Sequence, residues 1–175
     1  MSTGATVTLR EWSAVDATTA PALAGIWPDT PGVAEAIAHA NAQGVPVLVA
    51  TNQPGLAKGF MTFDEHEAIR ARLDALLMEH GAFVDDYAFC PHHPDTGFPG
   101  ERAELKFECS CRKPAPGLLQ SLVHDHHLDP NRTVMVGDSD RDEQAAVGAE
   151  VSFLRVPSSD EAALVIRTAV ERVTC

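Results

Sequence analysis

The sequence is most distinctive in two short stretches that bracket a loop, Cys90-Pro91-His92-His93-Pro94 and Cys109-Ser110-Cys111-Arg112-Lys113-Pro114. Each stretch supplies two closely spaced candidate metal ligands, and together these are Cys90, His92, Cys109 and Cys111. Four sulfur and imidazole donors match the closed tetrahedral sites that hold structural Zn²⁺. The residues between the pairs have few apolar side chains, so metal binding would have to supply the free energy that orders them. The pattern predicts a zinc-binding loop over residues 90–111.

Two other interpretations of these cysteines stay open, a disulfide and thiols without a role. Residues 1–20 contain no basic segment followed by an apolar one, so we expect a cytoplasmic protein. Because the cytoplasm is reducing, it disfavours disulfides, and we favour the metal. His93 is a second candidate ligand in place of His92, although Cys-x-His resembles the Cys-x-Cys pair more closely. We expect Cys175 to be a free thiol.

Composition limits the classes of protein to which the chain can belong. With 175 residues and 45% hydrophobic content, we expect one domain over residues 1–175. No apolar run approaches the ~20 residues that cross a bilayer, so we expect no membrane partner. A net charge of −12 argues against nucleic acid, because binding to its phosphates requires clustered lysine and arginine.

Short apolar segments alternate with helical patterns along the chain. Strands are predicted over residues 6–9, 46–50, 83–89, 133–136 and 151–156. Helices are predicted after Thr30 as N-cap, over 62–80 from a capping box, after Pro116, over 140–147, and after Ser159 as N-cap. Residues 13–30 have no clear period and are predicted to be a long connection. This alternation predicts a three-layer α/β domain with a mostly parallel sheet and right-handed crossovers.

Four polar or metal-binding side chains fall at the predicted carboxyl ends of strands. Since ligands of parallel α/β sheets bind beyond those ends, we expect the four to line one crevice. They are Arg10, Thr51, Cys90 and Asp138.

The residues around this crevice suit a phosphate. Thr51 offers a hydroxyl, and the turn that begins with Asn52 and Gln53 offers backbone N–H groups. Lys113 supplies a positive charge for the same anion, and Arg112 could bind a second phosphate or a carboxylate. The carboxylates of Gly137-Asp138-Ser139-Asp140-Arg141-Asp142 suit Mg²⁺. The sequence therefore predicts a site for a small phosphorylated molecule.

These motifs resemble the haloacid dehalogenase (HAD) superfamily, in its zinc-containing branch of D-glycero-D-manno-heptose 1,7-bisphosphate phosphatase and histidinol-phosphate phosphatase. The resemblance covers most of residues 31–156 and rests on residues 51–57, 90–94, 109–114 and 136–142. It implies a Rossmann-like domain without a large cap. The resemblance also implies that Thr51 and Lys113 hold the transferring phosphoryl group and that Arg112, Asn52 and Gln53 contact the substrate. It implies that Asp138 binds Mg²⁺ with support from Asp142. Structural Zn²⁺ would be bound by Cys90, His92, Cys109 and Cys111.

The chain departs from the family at the end of its first strand. There the family has Asp-x-Asp-Gly-Thr, whose two carboxylates supply the nucleophile and the general acid and base. This chain has Leu9-Arg10-Glu11-Trp12-Ser13-Ala14 instead. We interpret it as a degenerate phosphatase that binds a phosphorylated sugar, with Arg10 in place of Mg²⁺, and that serves a partner enzyme. Two alternatives are an active Mg²⁺-dependent phosphatase with a non-standard nucleophile and an interaction subunit with an inherited site.

Overall fold

The fold is taken from a computed structural model, which describes the backbone of residues 4–7, Thr30 and residues 32–174. Five parallel strands form one sheet in the order β3-β2-β1-β4-β5. The strands are β1 Gly4–Val7, β2 Val47–Asn52, β3 Asp86–Cys90, β4 Thr133–Gly137 and β5 Ser152–Arg155. The helices are α1 Val33–Ala42, α2 Pro54–Ala57, α3 Phe63–Met78, α4 Gly117–Asp125, α5 Asp140–Gly148 and α6 Ala162–Thr174. The predicted three-layer α/β fold with a parallel sheet is confirmed.

Alternate residues of the central strands face two separate hydrophobic layers. On β2, Val47 and Val49 pack in a cluster with α1, α3 and α6, whereas Leu48 and Ala50 pack in a second cluster with α4 and α5. All six residues of β2 are buried, as expected for a strand that helices cover on both faces. Met135 of β4 belongs to the second layer, and Val134 and Val136 belong to the first. The sheet is thus the middle layer, and its carboxyl edge carries the predicted site.

Local signals set the helix boundaries, and two of the predicted starts are wrong. The capping box of α3 is present, with the Thr62 hydroxyl accepting from the Glu65 backbone N–H and the Glu65 carboxylate accepting from the Thr62 backbone N–H. The N-cap of α1 is Gly32 and not Thr30, because the backbone first turns into the helix after Gly32, whose φ is 81°. Ser159 begins a short 3₁₀ turn, and α6 begins only at Ala162.

None of the described helices combines the length and hydropathy that a membrane span requires.

The predicted first strand falls partly on residues whose structure is described, and it pairs in parallel with β2 and β4 through Ala5, Thr6 and Val7. Arg10, Glu11, Trp12 and most of the predicted connection over residues 13–30 lie outside the described part of the chain.

Candidate metal and phosphate sites

The four predicted zinc ligands come together at the end of β3. Their donor atoms all lie within 4.8 Å of one another. Among the described residues, these four form the one group of three or more side chains that could hold a metal ion together. The Cys111 Sγ atom lies 3.1 Å from Cys90 Sγ and 3.2 Å from Cys109 Sγ. His92 faces the sulfurs through Nδ1, which is 3.4 Å from Cys111 Sγ and 3.5 Å from Cys90 Sγ.

This geometry fits a tetrahedral zinc ion and does not fit a disulfide. Sulfurs at the usual Zn–S distance of ~2.3 Å around a tetrahedral ion stand about 3.8 Å apart, and the three sulfurs here, 3.1–3.4 Å apart, are somewhat closer together than that. A disulfide requires an S–S distance of ~2.05 Å, and Cys90, Cys109 and Cys111 are all free thiols. The ring of Phe107 covers His92, with 4.3 Å between the ring centroids. These residues would hold Zn²⁺, and it would stabilise the loop by linking its two ends.

The thiols of the cluster differ in their tendency to ionise. Burial raises the pKa of the Cys90 thiol. Burial also opposes ionisation of Cys109, but hydrogen bonds from the Cys111 thiol and from the backbone of Arg112 outweigh it and hold the Cys109 pKa below its ordinary value. Because zinc binds the thiolate, binding must release protons from this cluster.

Between its two ends, the zinc-binding loop packs against α2. The backbone N–H of Arg102 donates to the carbonyl of Ala57 at 3.0 Å. Gly59, with φ 75°, lies so close to the backbone of Gly100 that a Cβ atom would overlap its carbonyl oxygen. The ring of Phe98 receives two ammonium groups, Lys58 Nζ at 4.8 Å and Lys106 Nζ at 4.7 Å from its centroid. The loop and the segment after α2 therefore bring two ammonium groups to the same aromatic ring.

The predicted phosphate-binding lysine lies buried at that edge. Lys113 has a side chain only 4% exposed, and its Nζ atom donates to the Ala50 carbonyl at 2.8 Å and pairs with Asp142 Oδ1 at 2.8 Å. Asp142 Oδ2 accepts hydrogen bonds from the Ser139 backbone and hydroxyl, at 3.1 and 2.7 Å. Burial alone would raise the pKa of Asp142, but Lys113 and Ser139 hold it below its ordinary value.

The predicted turn after β2 also lies at this edge. The Thr51 hydroxyl oxygen accepts a hydrogen bond from Gln53 Nε2 at 3.2 Å. The Gln53 backbone N–H donates to the Cys90 carbonyl at 2.8 Å, and this bond ties the turn to the zinc cluster. Asn52 contacts Lys113 through its side chain, and Arg112 Nη1 donates to the His92 carbonyl at 3.4 Å. The structure therefore brings Asn52 and Lys113 into contact, with Thr51 and Gln53 on either side of Asn52. Phosphate or substrate binding by Thr51, Asn52, Gln53, Arg112 and Lys113 stays a prediction.

Comparison with known proteins identifies the family. A model of HAD-hydrolase-like proteins matches residues 110–172. The D-glycero-β-D-manno-heptose-1,7-bisphosphate 7-phosphatase of Rhodopseudomonas palustris is 35% identical over 130 residues, which are 74% of this chain and 70% of the relative. The enzyme of that name from Pseudomonas putida is 40% identical over 126 residues, 71% of this chain and 66% of the relative. The chain belongs to the HAD superfamily, in its heptose bisphosphate phosphatase branch.

Solved structures agree with this family assignment. The D,D-heptose 1,7-bisphosphate phosphatase of B. bronchiseptica, complexed with magnesium and phosphate, superposes with a TM-score of 0.73 at 26% identity, covering 99% of this chain and 98% of that one. A HAD-like phosphatase of Mesorhizobium loti superposes with a TM-score of 0.73 at 28% identity, covering 96% and 87%. The aligned part spans 66% and 62% of the lengths of the first two curated relatives.

The two residues predicted to bind Mg²⁺, Asp138 and Asp142, differ in their burial and in their contacts. Asp138 follows β4 and is exposed, and its backbone carbonyl accepts from Arg155 Nη1 at 3.2 Å. Asp142 is buried and paired with Lys113. Among residues 32–174 neither joins a group of three or more metal-ligating side chains. Magnesium binding by Asp138 and Asp142 stays a prediction.

Two features of the site were missed at the sequence level. One is the pairing of Asn52 with Lys113, which lies 61 residues along the chain and carries no local signal. The other, in the neighbouring loop, is Lys106, whose buried Nζ atom has no hydrogen-bond partner among the described residues and lies 3.4 Å from Glu101 Oε2. Its position in a loop of few apolar residues gave no sign of burial. The Arg10, Glu11 and Trp12 stretch, where the family has its nucleophile, lies beyond what the structure describes.

Proposed function

We propose that the chain is a phosphatase-family protein that binds the phosphoryl group of a phosphorylated sugar and hydrolyses its ester bond. The observation that carries this proposal is Lys113, a buried ammonium that is hydrogen-bonded to the carbonyl of Ala50, the residue before Thr51 in β2. Relatives that are 35–40% identical are named as phosphatases of a heptose bisphosphate. A heptose bisphosphate or histidinol phosphate is therefore the first substrate class to test.

The geometry supports phosphoryl binding through preorganised charge. Two oxygen partners hold the Lys113 ammonium in a fixed position before any ligand binds. The Thr51 hydroxyl accepts from Gln53 Nε2 and donates to the Asn52 carbonyl at 3.4 Å, a long bond that the hydroxyl would exchange for a phosphoryl oxygen when it binds one. Zn²⁺ on the cysteine and histidine cluster would be structural, since four protein ligands close the site. Hydrolysis needs in addition a nucleophile, for which Glu11 and Asp16 are the nearest carboxylates in the sequence after β1.

A second candidate function is phosphosugar binding without hydrolysis. The stretch Leu9-Arg10-Glu11-Trp12-Ser13-Ala14 contains no aspartate where the family has two, and this observation favours it. In that case Arg10 would carry a positive charge toward the phosphate in place of Mg²⁺. A role beside a partner enzyme belongs to this second candidate.

Measurement of phosphate release separates the candidates. The purified chain is incubated with D-glycero-D-manno-heptose 1,7-bisphosphate or histidinol phosphate, with and without added Mg²⁺. Hydrolysis that is lost in Lys113→Ala and retained in Arg167→Ala, an exposed cation of α6, supports the phosphatase. Loss in Glu11→Gln or Asp16→Asn would assign the nucleophile.

Binding of the same sugars in the absence of release supports the second candidate, and it is measured by calorimetry. An absence of both binding and release overturns both candidates and favours an interaction subunit.

A further inference from the structure

Asn52 makes an unusual long-range contact at the end of β2. Its side chain is 1% exposed. The Nδ2 atom donates to the Lys113 carbonyl at 3.0 Å, and the Oδ1 atom accepts from the Lys113 backbone N–H at 3.0 Å. One amide side chain therefore pairs with both backbone polar atoms of the same residue. A side chain that makes two hydrogen bonds in fixed directions also fixes the orientation of the peptide units that it contacts.

These backbone hydrogen bonds add to the contacts that fix the Lys113 side chain. The Nζ atom is held by the Ala50 carbonyl and by Asp142, and the backbone is held by Asn52. Ala50 and Asn52 both belong to β2, so this strand fixes both ends of the lysine. An unsatisfied backbone group buried here would cost free energy, and without Asn52 the Lys113 peptide units would have to find other partners.

We propose that Asn52 is a positioning residue that acts on the bound phosphoryl group through Lys113. This inference rests on the proposed function, in which Lys113 binds that group. It differs from the role that the family resemblance implies, in which Asn52 contacts the substrate. A misplacement of ~1 Å in an active site can cost about 100-fold in rate, so hydrogen bonds that fix the Lys113 backbone should also affect what its side chain binds.

The chain contains a matched control for this contact. Asn41 of α1 pairs in the same way with Phe83, with Nδ2 donating to the Phe83 carbonyl at 3.2 Å and Oδ1 accepting from the Phe83 N–H at 3.0 Å. Phe83 lies before β3, at the opposite end of that strand from Cys90. Asn41→Ala therefore removes the same two bonds without touching the phosphate site.

The test measures the affinity of the purified chain for inorganic phosphate by calorimetry. We expect Asn52→Ala to weaken binding by about 10- to 100-fold and Asn41→Ala to leave it within twofold. In the Lys113→Ala background, Asn52→Ala should cause less than a twofold further loss, because the residue through which it acts is gone. If the two losses multiply, Asn52 contacts the phosphate independently and the inference is wrong.

Amide hydrogen exchange keeps the inference testable if Asn52→Ala does not fold. In the unmodified chain the Lys113 amide should exchange as slowly as the amides of β2, since its N–H is buried and bonded to Asn52 Oδ1. Exchange at the rate of an open loop would overturn the inference. An unmodified chain that binds no phosphate would overturn the proposed function as well, whereas full binding by Asn52→Ala would overturn the inference alone.

Discussion

Two buried charges at the edge of the sheet stabilise each other. The side chains of Lys113 and Asp142 are 4% and 6% exposed, and 2.8 Å separates their charged atoms. Burial of a single charge is costly, whereas a pair that is also hydrogen-bonded recovers much of that cost. Asp140 on the same helix, α5, forms an exposed pair with Arg155 of β5. Arg155 contacts Asp140 Oδ1 at 2.8 Å, and the Asp140 side chain is 85% exposed. Removal of one partner should therefore have different consequences in the two places.

We predict that Asp142→Ala lowers the free energy of unfolding by about 3 to 5 kcal/mol, because it leaves the Lys113 charge buried without its partner. Asp140→Ala, the control on the same helix, should cost less than about 1 kcal/mol. Urea denaturation followed by circular dichroism gives both values. Equal losses for the two variants would mean that the Lys113 pair is hydrated in solution.

A buried histidine on α3 should make stability depend on pH. His66 is 7% exposed and packs against Phe89, with ring centroids 4.3 Å apart. Burial lowers the pKa of His66, with a smaller contribution from Arg70 that is opposed by Glu67. The unfolded chain therefore binds the proton more readily than the folded chain. The stabilising contribution is complete above the unfolded pKa of about 6.5 and is lost as the pH falls through the lower folded pKa.

Thermal unfolding of the unmodified chain and of His66→Phe between pH 7.5 and 5 tests this prediction. The loss of stability on acidification should be smaller in His66→Phe. Exposed His124 provides the control, since His124→Phe should retain the pH dependence of the unmodified chain. Parallel curves for all three proteins would show that His66 does not titrate in this way.

At the scale of elements, a backbone contact between glycines joins the zinc-binding loop to the segment after α2. Gly59 approaches Gly100 closely, and Arg102 donates its backbone N–H to the Ala57 carbonyl. Gly81, after α3, has a similar φ of 68°, but in the described part of the chain no atom beyond its own neighbours lies within 4 Å of the position that a Cβ would occupy. Alanine substitutions at the two positions therefore separate the free-energy cost of a left-handed backbone from the cost of a collision between the added Cβ and Gly100.

We predict that Gly81→Ala costs about 1 to 2 kcal/mol of unfolding free energy, the usual cost of a left-handed backbone in a residue with a Cβ. Gly59→Ala should cost more than this, because the added Cβ also displaces Gly100. It should in addition increase the susceptibility of residues 94–106 to proteolysis, whereas Gly81→Ala should not. Denaturant titration and limited proteolysis test both parts, and indistinguishable variants would contradict the proposed loop contact.

The sequence predicted the elements better than the contacts between them. Alternating apolar runs and helical periods indicated the strands and most helices, because burial on one or both faces sets those periods directly. The four zinc ligands were predicted because their spacing is local. The Asn52 and Lys113 contact was not, since it joins residues 61 positions apart and depends on how β2 and the loop before α4 meet. The start of α6 was wrong because Ser159 begins a 3₁₀ turn that resembles a helix start in sequence.

At the scale of the whole molecule, the predicted zinc cluster and the proposed phosphate site are neighbours in sequence and in space. Cys111 is a cluster residue, and Lys113 follows two positions later. The partners of these two residues lie on different elements, since Cys90 ends β3 and Asp142 lies on α5. The segment from Cys109 to Lys113 therefore connects the two sites across the carboxyl edge of the sheet. Loss of the metal should therefore weaken the binding of phosphate at Lys113.

We predict that the chain holds one Zn²⁺, that Cys109→Ser loses it, and that the metal-free protein binds inorganic phosphate more weakly. Cys90 belongs to the hydrophobic layer formed with α4 and α5, and Cys109 and Cys111 pack against it. The layer formed with α1, α3 and α6 contains none of the cysteines, so the circular dichroism of those three helices should remain. Elemental analysis and phosphate calorimetry test the two sites separately. Cys175→Ser is the control, because it removes a thiol that the predicted metal site does not include.

The two measurements can disagree in an informative way. Metal-free Cys109→Ser with unchanged phosphate affinity would show that Asn52, Ala50 and Asp142 suffice to hold Lys113, so that zinc stabilises only the loop. Loss of phosphate binding together with the helical signal would show instead that the metal is needed for the whole domain to fold. Retention of full metal content in Cys109→Ser would contradict the four-ligand site itself, because three protein ligands would then bind zinc as tightly as four.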